Sequence, residues 1–286
     1  MKPDLHPLHP AAWVLDTLAA EGWHTHRLVS FTRASTLVLA GRDPEAQPVV
    51  LKAGFGSNHV LAQLDDATRP AAYGFYWYAE MTEQERLLAR ADFAHETRAA
   101  ITAANAPHAV PALDHGTTTG FDWYTMPHLE GGNFRPYLQQ QPADPTEGLR
   151  LLADAAEGLE ALHHLGIVHR DVYQENILIH GGRAHITDLG ACRYTSTPRG
   201  PASRGPEVHW PPEYATAYNT ATPAADVYSL AVLAHRYWCR DIPRHHGSAT
   251  FPILPAALRP TIHAALAPHP EDRPLMAELR TALRTT

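Results

Sequence analysis

The sequence predicts an α+β chain in two unequal parts, a small antiparallel sheet with one principal helix followed by a larger, mostly helical portion. Two observations predict it. Strand-like stretches of alternating or β-branched residues crowd the first part, at 24–31, 35–40, 48–53, 112–117 and 121–128. Past residue 144 the apolar spacing becomes helical, with Leu152, Ala155, Leu159 and Leu162 on one face. The division is read as a single domain over 1–286, with a first lobe over about 11–129, a second over about 130–286 and an insertion over about 54–79.

Taken in order, 11–20 (AAWVLDTLAA) places Trp13, Val14 and Leu18 at helical spacing and runs out near Gly22, so a short amphipathic helix opens the fold. The strands at 35–40 and 48–53 are joined by the turn-rich GRDPEAQ. From Gly54 the pattern breaks down, ending in the aromatic cluster Tyr73, Phe75, Tyr76, Trp77 and Tyr78, before a helix over about 82–105. EGGN at 130–133 interrupts the pattern between the two parts. Asp144, Pro145 and Glu147 predict a helix start with a cap, a proline at the first position and a capping-box acid, and that helix stops at Gly166. Gly181 and Gly182 sit between strands at 177–180 and 184–187 as a hairpin turn would. A loop over 191–212 is too long to be structureless without purpose. Thr222 and Pro223 start an apolar helix to about 238, and shorter helices are predicted at 255–267 and 274–284.

Composition removes several function classes. The chain has 286 residues, 44% hydrophobic and 19% charged, which is ordinary globular composition and enough for a core without staples. A net charge of -7 with no basic block argues against nucleic acid as a partner. Cys192 and Cys239 are the 2 cysteines, too far apart for a disulfide framework or a zinc ribbon. No apolar run reaches membrane-spanning length, so no membrane is expected and a cytoplasmic location is read. The 20 histidines include the pairs His163, His164 and His245, His246, which lack a third ligand at metal spacing and read as solvated or satisfied.

The chemistry-bearing residues lie in the second part. HRDVYQEN at 169–176 falls in a loop between a helix and a strand, where the carboxylate of Asp171 and the amide of Asn176 can face one site. Asp188 follows at the end of the hairpin in the triplet DLG, whose glycine lets the backbone turn sharply. Hard oxygen ligands beside a hydroxyl-orienting carboxylate suit phosphoryl transfer from a magnesium nucleotide. Either aspartate alone reads equally well as a turn residue capping local backbone. In the first part, lysine is scarce: among 23 lysines and arginines it occurs only at Lys2 and Lys52. A chain that uses arginine nearly everywhere keeps Lys52 on a strand, where a compact ammonium is not interchangeable with a planar fork.

With these motifs the chain resembles the eukaryotic-type, serine/threonine protein kinases over roughly 24–284, in a divergent form of bacterial appearance. Besides HRDVYQEN and DLG, GPEVHWPPE at 205–213 looks like the end of an activation segment, DVYSLAV at 226–232 like the start of the central helix, and EDRP at 271–274 like the late arginine motif. The resemblance implies a bilobal protein-kinase-like fold and an ATP- and Mg2+-dependent transfer to a hydroxyl, serine or threonine, on a protein or peptide. It makes Asp171 the catalytic base and Asn176 and Asp188 the metal ligands. It pairs Lys52, which would hold nucleotide phosphates, with a glutamate on the following helix, read as Glu96 ahead of Glu80, Glu83 and Glu85. Nucleotide contacts are implied at Ser30, Thr32 and Ser35, at Met126 as gatekeeper, and along the backbone at Pro127, His128 and Leu129. Glu213 would pair with Arg273, and Asp226 would brace the catalytic loop.

The departures are specific. SFTRASTLVLA has no glycine-rich loop, so side chains at Ser30, Thr32 and Ser35 limit backbone approach to phosphate while offering hydroxyls to it. Tyr173 stands where serine/threonine kinases carry a lysine, and Pro206 where a threonine steadies that lysine. Arg170 marks, by resemblance, an activation loop ordered by phosphorylation, with Thr195, Ser196, Thr197 and Ser203 as candidates. The insertion's aromatic cluster reads either as packing or as the docking surface of a protein partner. Two other functions are carried: a small-molecule or peptide-tailoring kinase, and a pseudokinase acting as a binding module. Oligomeric state is not readable.

Overall fold

The computed structural model describes residues 10–32, 35–54, 82–118, 121–140, 142–197, 208–243 and 253–286. The expected insertion beyond Gly54 with its aromatic cluster, Glu80, Ser203, Pro206 and the histidine pair at 245 and 246 lie outside them. The chain divides into two compact units. The first comprises the chain through Ala104 and Pro111–His128, the second Asn105–Val110 and Leu129–Thr286.

In the first unit α1 (Pro10–Ala20) precedes strands β1 (His24–Phe31), β2 (Ser35–Gly41) and β3 (Val49–Gly54), then α2 (Glu83–Thr102), β4 (Asp114–Thr117) and β5 (Asp122–Pro127). They form a five-stranded sheet in the order β1-β2-β3-β5-β4, each neighbouring pair antiparallel. Strand periodicity decides what each face carries. Leu51 and Ala53 of β3 join Val38 and Ala40 of β2 in a core with Val14, Leu15 and Leu18 of α1. Val50, Lys52 and Gly54 alternate to the opposite side, where a Cβ on Gly54 would lie 2.5 Å from the Phe93 ring of α2. Only glycine permits that approach. Helix α2 starts with a capping box, Thr82 Oγ1 accepting from Glu85 N and Glu85 Oε2 accepting from Thr82 N at 3.2 and 2.6 Å.

The second unit is mostly helical. Its order is α3 (Arg135–Gln139), α4 (Thr146–His164), β6 (Ile167–Val168), β7 (Ile177–His180), β8 (Arg183–Ile186), β9 (Arg193–Tyr194), α5 (Tyr214–Ala217), α6 (Pro223–Cys239), α7 (Arg259–Ala265) and α8 (Met276–Arg284). Helices α4 and α6 are buried along most of their length, as a helix apolar beyond one stripe must be. The β7–β8 hairpin turns through Gly181 and Gly182 at φ 55° and 72°, the left-handed pair such a tight turn demands. Residues 105–110 belong here rather than with the sheet, because Val110 N donates to Ile186 O and Ile186 N to His108 O at 2.8 and 2.7 Å.

Several boundaries differ from the sequence reading. Pro145 occupies the cap of α4 rather than its first position, and Glu147 accepts from the Tyr137 hydroxyl instead of closing a capping box. Asp144 still serves the helix start, its Oδ1 accepting from Thr146 N at 2.9 Å. Helix α7 is shorter than 255–267, beginning after a turn in which Leu258 N and Arg259 N both donate to Pro255 O. Helices α3 and α5 and strands β6 and β9 were not predicted, since two to five residues are too few to show a period. Among the described residues no helix is long and apolar enough to cross a membrane.

Candidate active site

In the second unit, the loop after β6 carries His169, Arg170 and Asp171 and is held by a single buried carboxylate. Asp226 near the start of α6 accepts from the backbone N–H of His169 and of Arg170 at 2.9 and 2.8 Å, and from His163 Nε2 at 2.8 Å. Burial alone would push this carboxyl's pKa up, but the His163 bond and charge, the nearby His169 and the Arg170 amide outweigh it and hold it below the usual carboxylate value. Arg170 has φ 68°, a left-handed conformation that costs a non-glycine residue roughly 1–2 kcal/mol. The two amide bonds to Asp226 offset that cost.

The tautomer of His169 follows from its partners. Nε2 faces the Thr187 carbonyl at 2.9 Å and so carries the hydrogen, while Nδ1 accepts from Asp171 N at 3.2 Å. Asp171 itself stays partly open, with 30% of its side chain exposed. Asn176 Nδ2 donates to Asp171 O at 2.9 Å and to its Oδ2 at 3.2 Å. His209 Nε2 reaches the other oxygen, Oδ1, at 3.4 Å, and its ring stacks on Tyr173 at 5.1 Å and 6°. The carboxylate is therefore held at both oxygens.

Asp188 stands at the end of the hairpin at φ 61°, its Oδ1 accepting from Gly190 N at 3.3 Å. Thr187 N donates to Asn176 O at 3.0 Å, which brings Asp188 and Asn176 to the same end of the hairpin. Because the Asn176 amide nitrogen is committed to Asp171, its Oδ1 is the atom left to face a cation. An amide oxygen and a carboxylate are the hard donors a small divalent cation prefers, so these two residues fit such an ion. Among the described residues, His108, Asp154 and Glu157 form a cluster at metal-ligand distance in the second unit. Arginines already satisfy it: Arg183 donates to both Asp154 oxygens at 2.7 and 3.0 Å and lies 2.8 Å from His108 Nε2, and Arg284 pairs with Glu157.

In the first unit, Lys52 on β3 and Glu96 on α2 form a buried ion pair, Nζ to Oε1, at 2.5 Å. The Tyr124 hydroxyl on β5, opposite Lys52 in the register, donates to the same Oε1 at 2.6 Å. Of the rival glutamates, Glu83 and Glu85 sit in the first turn of α2, Glu85 committed to its capping box. Ser30 lies on β1 opposite Leu37. Thr32 and Ser35 face each other across the β1–β2 turn: Thr32 N donates to Ser35 O, and Thr32 Oγ1 accepts from Ser35 N at 3.1 Å while donating to Ser35 O at 3.2 Å. That hydroxyl, expected to reach toward phosphate, closes its own turn. Met126 and Pro127 pair with Val50 and Val49; His128 ends this unit, and Leu129 resumes the second.

Two further arginines differ in role. Arg273 grips Glu213 bidentately, Nη1 to Oε1 and Nη2 to Oε2 both at 2.7 Å, the geometry in which arginine exceeds lysine. Arg170 instead binds backbone carbonyls. It is 1% exposed and donates to the carbonyls of Ala191, Tyr218 and Cys192, with its guanidinium 4.3 Å from the centre of the Tyr218 ring. Three of its five N–H groups are thus committed to backbone carbonyls. Thr197 Oγ1 donates to Tyr194 O at 2.8 Å within the same stretch. His209, Tyr124 and His163 were not singled out in the sequence as partners of the site, because each meets its partner only through the fold.

A five-stranded antiparallel sheet joined to a helical unit, with an Asp-and-Asn loop braced by a buried aspartate, defines a protein-kinase fold. A family model, the protein kinase domain, matches residues 83–256, more than half of the chain, and the chain belongs to that family. The match begins at the start of α2, so Lys52 precedes it. Among curated relatives, the probable serine/threonine-protein kinase pknA2 of Bifidobacterium longum is 33% identical over 156 residues, 53% of this chain and 20% of that protein. Serine/threonine-protein kinase PknD of Mycobacterium tuberculosis is 34% identical over 131 residues, 44% of this chain and 19% of its own length. Serine/threonine-protein kinase pkn2 of Myxococcus xanthus is 30% identical over 183 residues, 60% and 21% respectively. The chain spans 19–21% of the length of these relatives.

Proposed function

We propose that this chain is an ATP-dependent phosphotransferase of protein-kinase type that phosphorylates a serine or threonine hydroxyl on a protein or peptide. One observation carries the reading: the Asp171 carboxylate is fixed at both oxygens by side chains, yet 30% of it remains open to an acceptor. In this role Asp171 accepts a hydrogen bond from the acceptor hydroxyl and aims its oxygen at the γ-phosphorus. As the new O–P bond forms and the bond to the β–γ bridging oxygen breaks, the hydroxyl proton passes to Asp171 and ADP leaves. Asn176 Oδ1 and the Asp188 carboxylate would hold Mg2+, which when bound neutralises phosphate charge. Lys52 supplies a compact positive charge for the nucleotide phosphates, and Glu96 keeps that ammonium aimed. Ser30, Thr32 and Ser35 are assigned to the nucleotide loop, Met126 to the gatekeeper position, and the backbone at His128 and Leu129 to the adenine. The serine/threonine assignment rests on the names of the relatives. The cytoplasm, where ATP is supplied, is the compartment this reading requires.

The test is transfer of labelled phosphate from Mg-ATP, first to the chain itself and then to candidate peptides. Asp171→Asn is expected to lose about 10²–10⁴-fold in turnover while the chain remains folded, because the side chain is partly exposed. A wild type that Mg-ATP stabilises but that transfers no phosphate would overturn the reading in favour of a binding module.

A further inference from the structure

We infer that His209, with Tyr173 stacked on it, is a positioning residue for Asp171. The inference rests on the assignment of Asp171 as the base. An ionised carboxylate only accepts, so the 3.4 Å contact to Asp171 Oδ1 requires His209 Nε2 to carry the hydrogen. Asn176 holds Oδ2 at 3.2 Å, so the two donors on opposite oxygens stop the carboxylate from rotating about its last bond. With either donor alone it could swing.

The imidazole is itself built in place. His209 is 3% exposed, and its ring lies parallel to Tyr173 at 5.1 Å, which sets the plane in which Nε2 points. Its backbone is pinned from α6, where the buried Ser229 hydroxyl donates to His209 O at 2.8 Å. The chain from Ser229 through the backbone of His209 to its ring thus ends on the carboxylate proposed as base, with Tyr173 as its backing.

Two variants separate the donor from the packing. His209→Phe keeps an aromatic ring against Tyr173 and removes the donor, whereas His209→Gln keeps an N–H near the same reach and gives up the stack. Misplacing a catalytic group by about 1 Å can cost on the order of a hundredfold, so His209→Phe is expected to lose roughly tenfold to a hundredfold in kcat with KM for ATP unchanged. His209→Gln should recover most of that loss. Independently of turnover, long-range ¹H–¹⁵N NMR of the full chain should show His209 as the Nε2–H tautomer, with its Nε2 resonance moved by Asp171→Asn. Equal kcat in wild type and His209→Phe, or an Nδ1–H tautomer indifferent to Asp171→Asn, overturns the inference. A wild type without transfer overturns the phosphotransferase reading, and the tautomer then still decides whether His209 holds Asp171.

Discussion

Glu96 in the first unit and Asp226 in the second are both buried carboxylates, 5% and 0% exposed, but they are held by different kinds of partner. Glu96 is bound by side chains, the Lys52 ammonium and the Tyr124 hydroxyl. Asp226 is bound chiefly by backbone, the amides of His169 and Arg170, with His163 as its one side-chain donor. The first arrangement fixes where one charge points. The second fixes the conformation of a loop, including the left-handed Arg170 that carries the chain into Asp171. A side-chain pair can be replaced by another side-chain pair; backbone donors survive every side-chain substitution except proline.

The largest effect expected from this contrast is at Asp226. Asp226→Ala leaves two buried N–H groups without an acceptor and releases the strained turn, and the loss of a buried charged partner costs about 3–5 kcal/mol. Urea unfolding measures it, and a cost below about 1 kcal/mol would break the comparison. The same carboxyl gives an acid limb. Its folded pKa is depressed, so its contribution is fully present above the unfolded carboxylate value, about 3.9, and is lost as pH falls through that value toward the folded one. His163→Gln removes the imidazole that does most to lower it, and unfolding on acidification should then set in at higher pH. An acid limb that His163→Gln does not move would mean that other carboxylates dominate it.

At Lys52 and Glu96 the expectation inverts when both are changed. Glu96→Leu or Lys52→Met alone strands a buried charge and should cost about 3–5 kcal/mol. The double variant places apolar side chains of similar volume together and should return to within roughly 1–2 kcal/mol of wild type. On the proposed phosphotransferase reading, phosphate transfer stays lost, because the ammonium is gone. Asp226→Leu with His163→Leu should show no such recovery, since the amides of His169 and Arg170 remain. Equal recovery in both doubles, read by the same unfolding curves, would show that the kind of partner does not matter.

How far each arrangement was legible follows from what each depends on. Long elements declare themselves by period: α1, the first three strands, α4 and α6 lie close to where apolar spacing puts them. Lys52 stood out by composition alone, as one of two lysines in the chain. Asp171, Asn176 and Asp188 stood out as a motif, since a short loop with fixed spacing is local information. Contacts made by register or by remote packing leave no such trace. Tyr124 meets Glu96 because β5 pairs with β3 and α2 packs beside them, and His209 meets Asp171 across 38 residues of chain. Arg170 shows the converse: its charge was visible in the sequence, but its bonds to three carbonyls were not.

Tyr124 gives the smallest effect and the sharpest one, because its size depends on the pair beside it. In the wild type its hydroxyl donates to Glu96 Oε1 at 2.6 Å, alongside Lys52. Tyr124→Phe removes a buried hydrogen bond to a charged group and should cost about 1.5–3 kcal/mol. In the Lys52→Met, Glu96→Leu background the Glu96 acceptor is absent, so Tyr124→Phe should cost less than it does in the wild type. The difference between the two backgrounds is the coupling energy of Tyr124 to the pair. Additive behaviour, the same loss in both backgrounds, would show that the Tyr124 hydroxyl contributes nothing to holding Glu96.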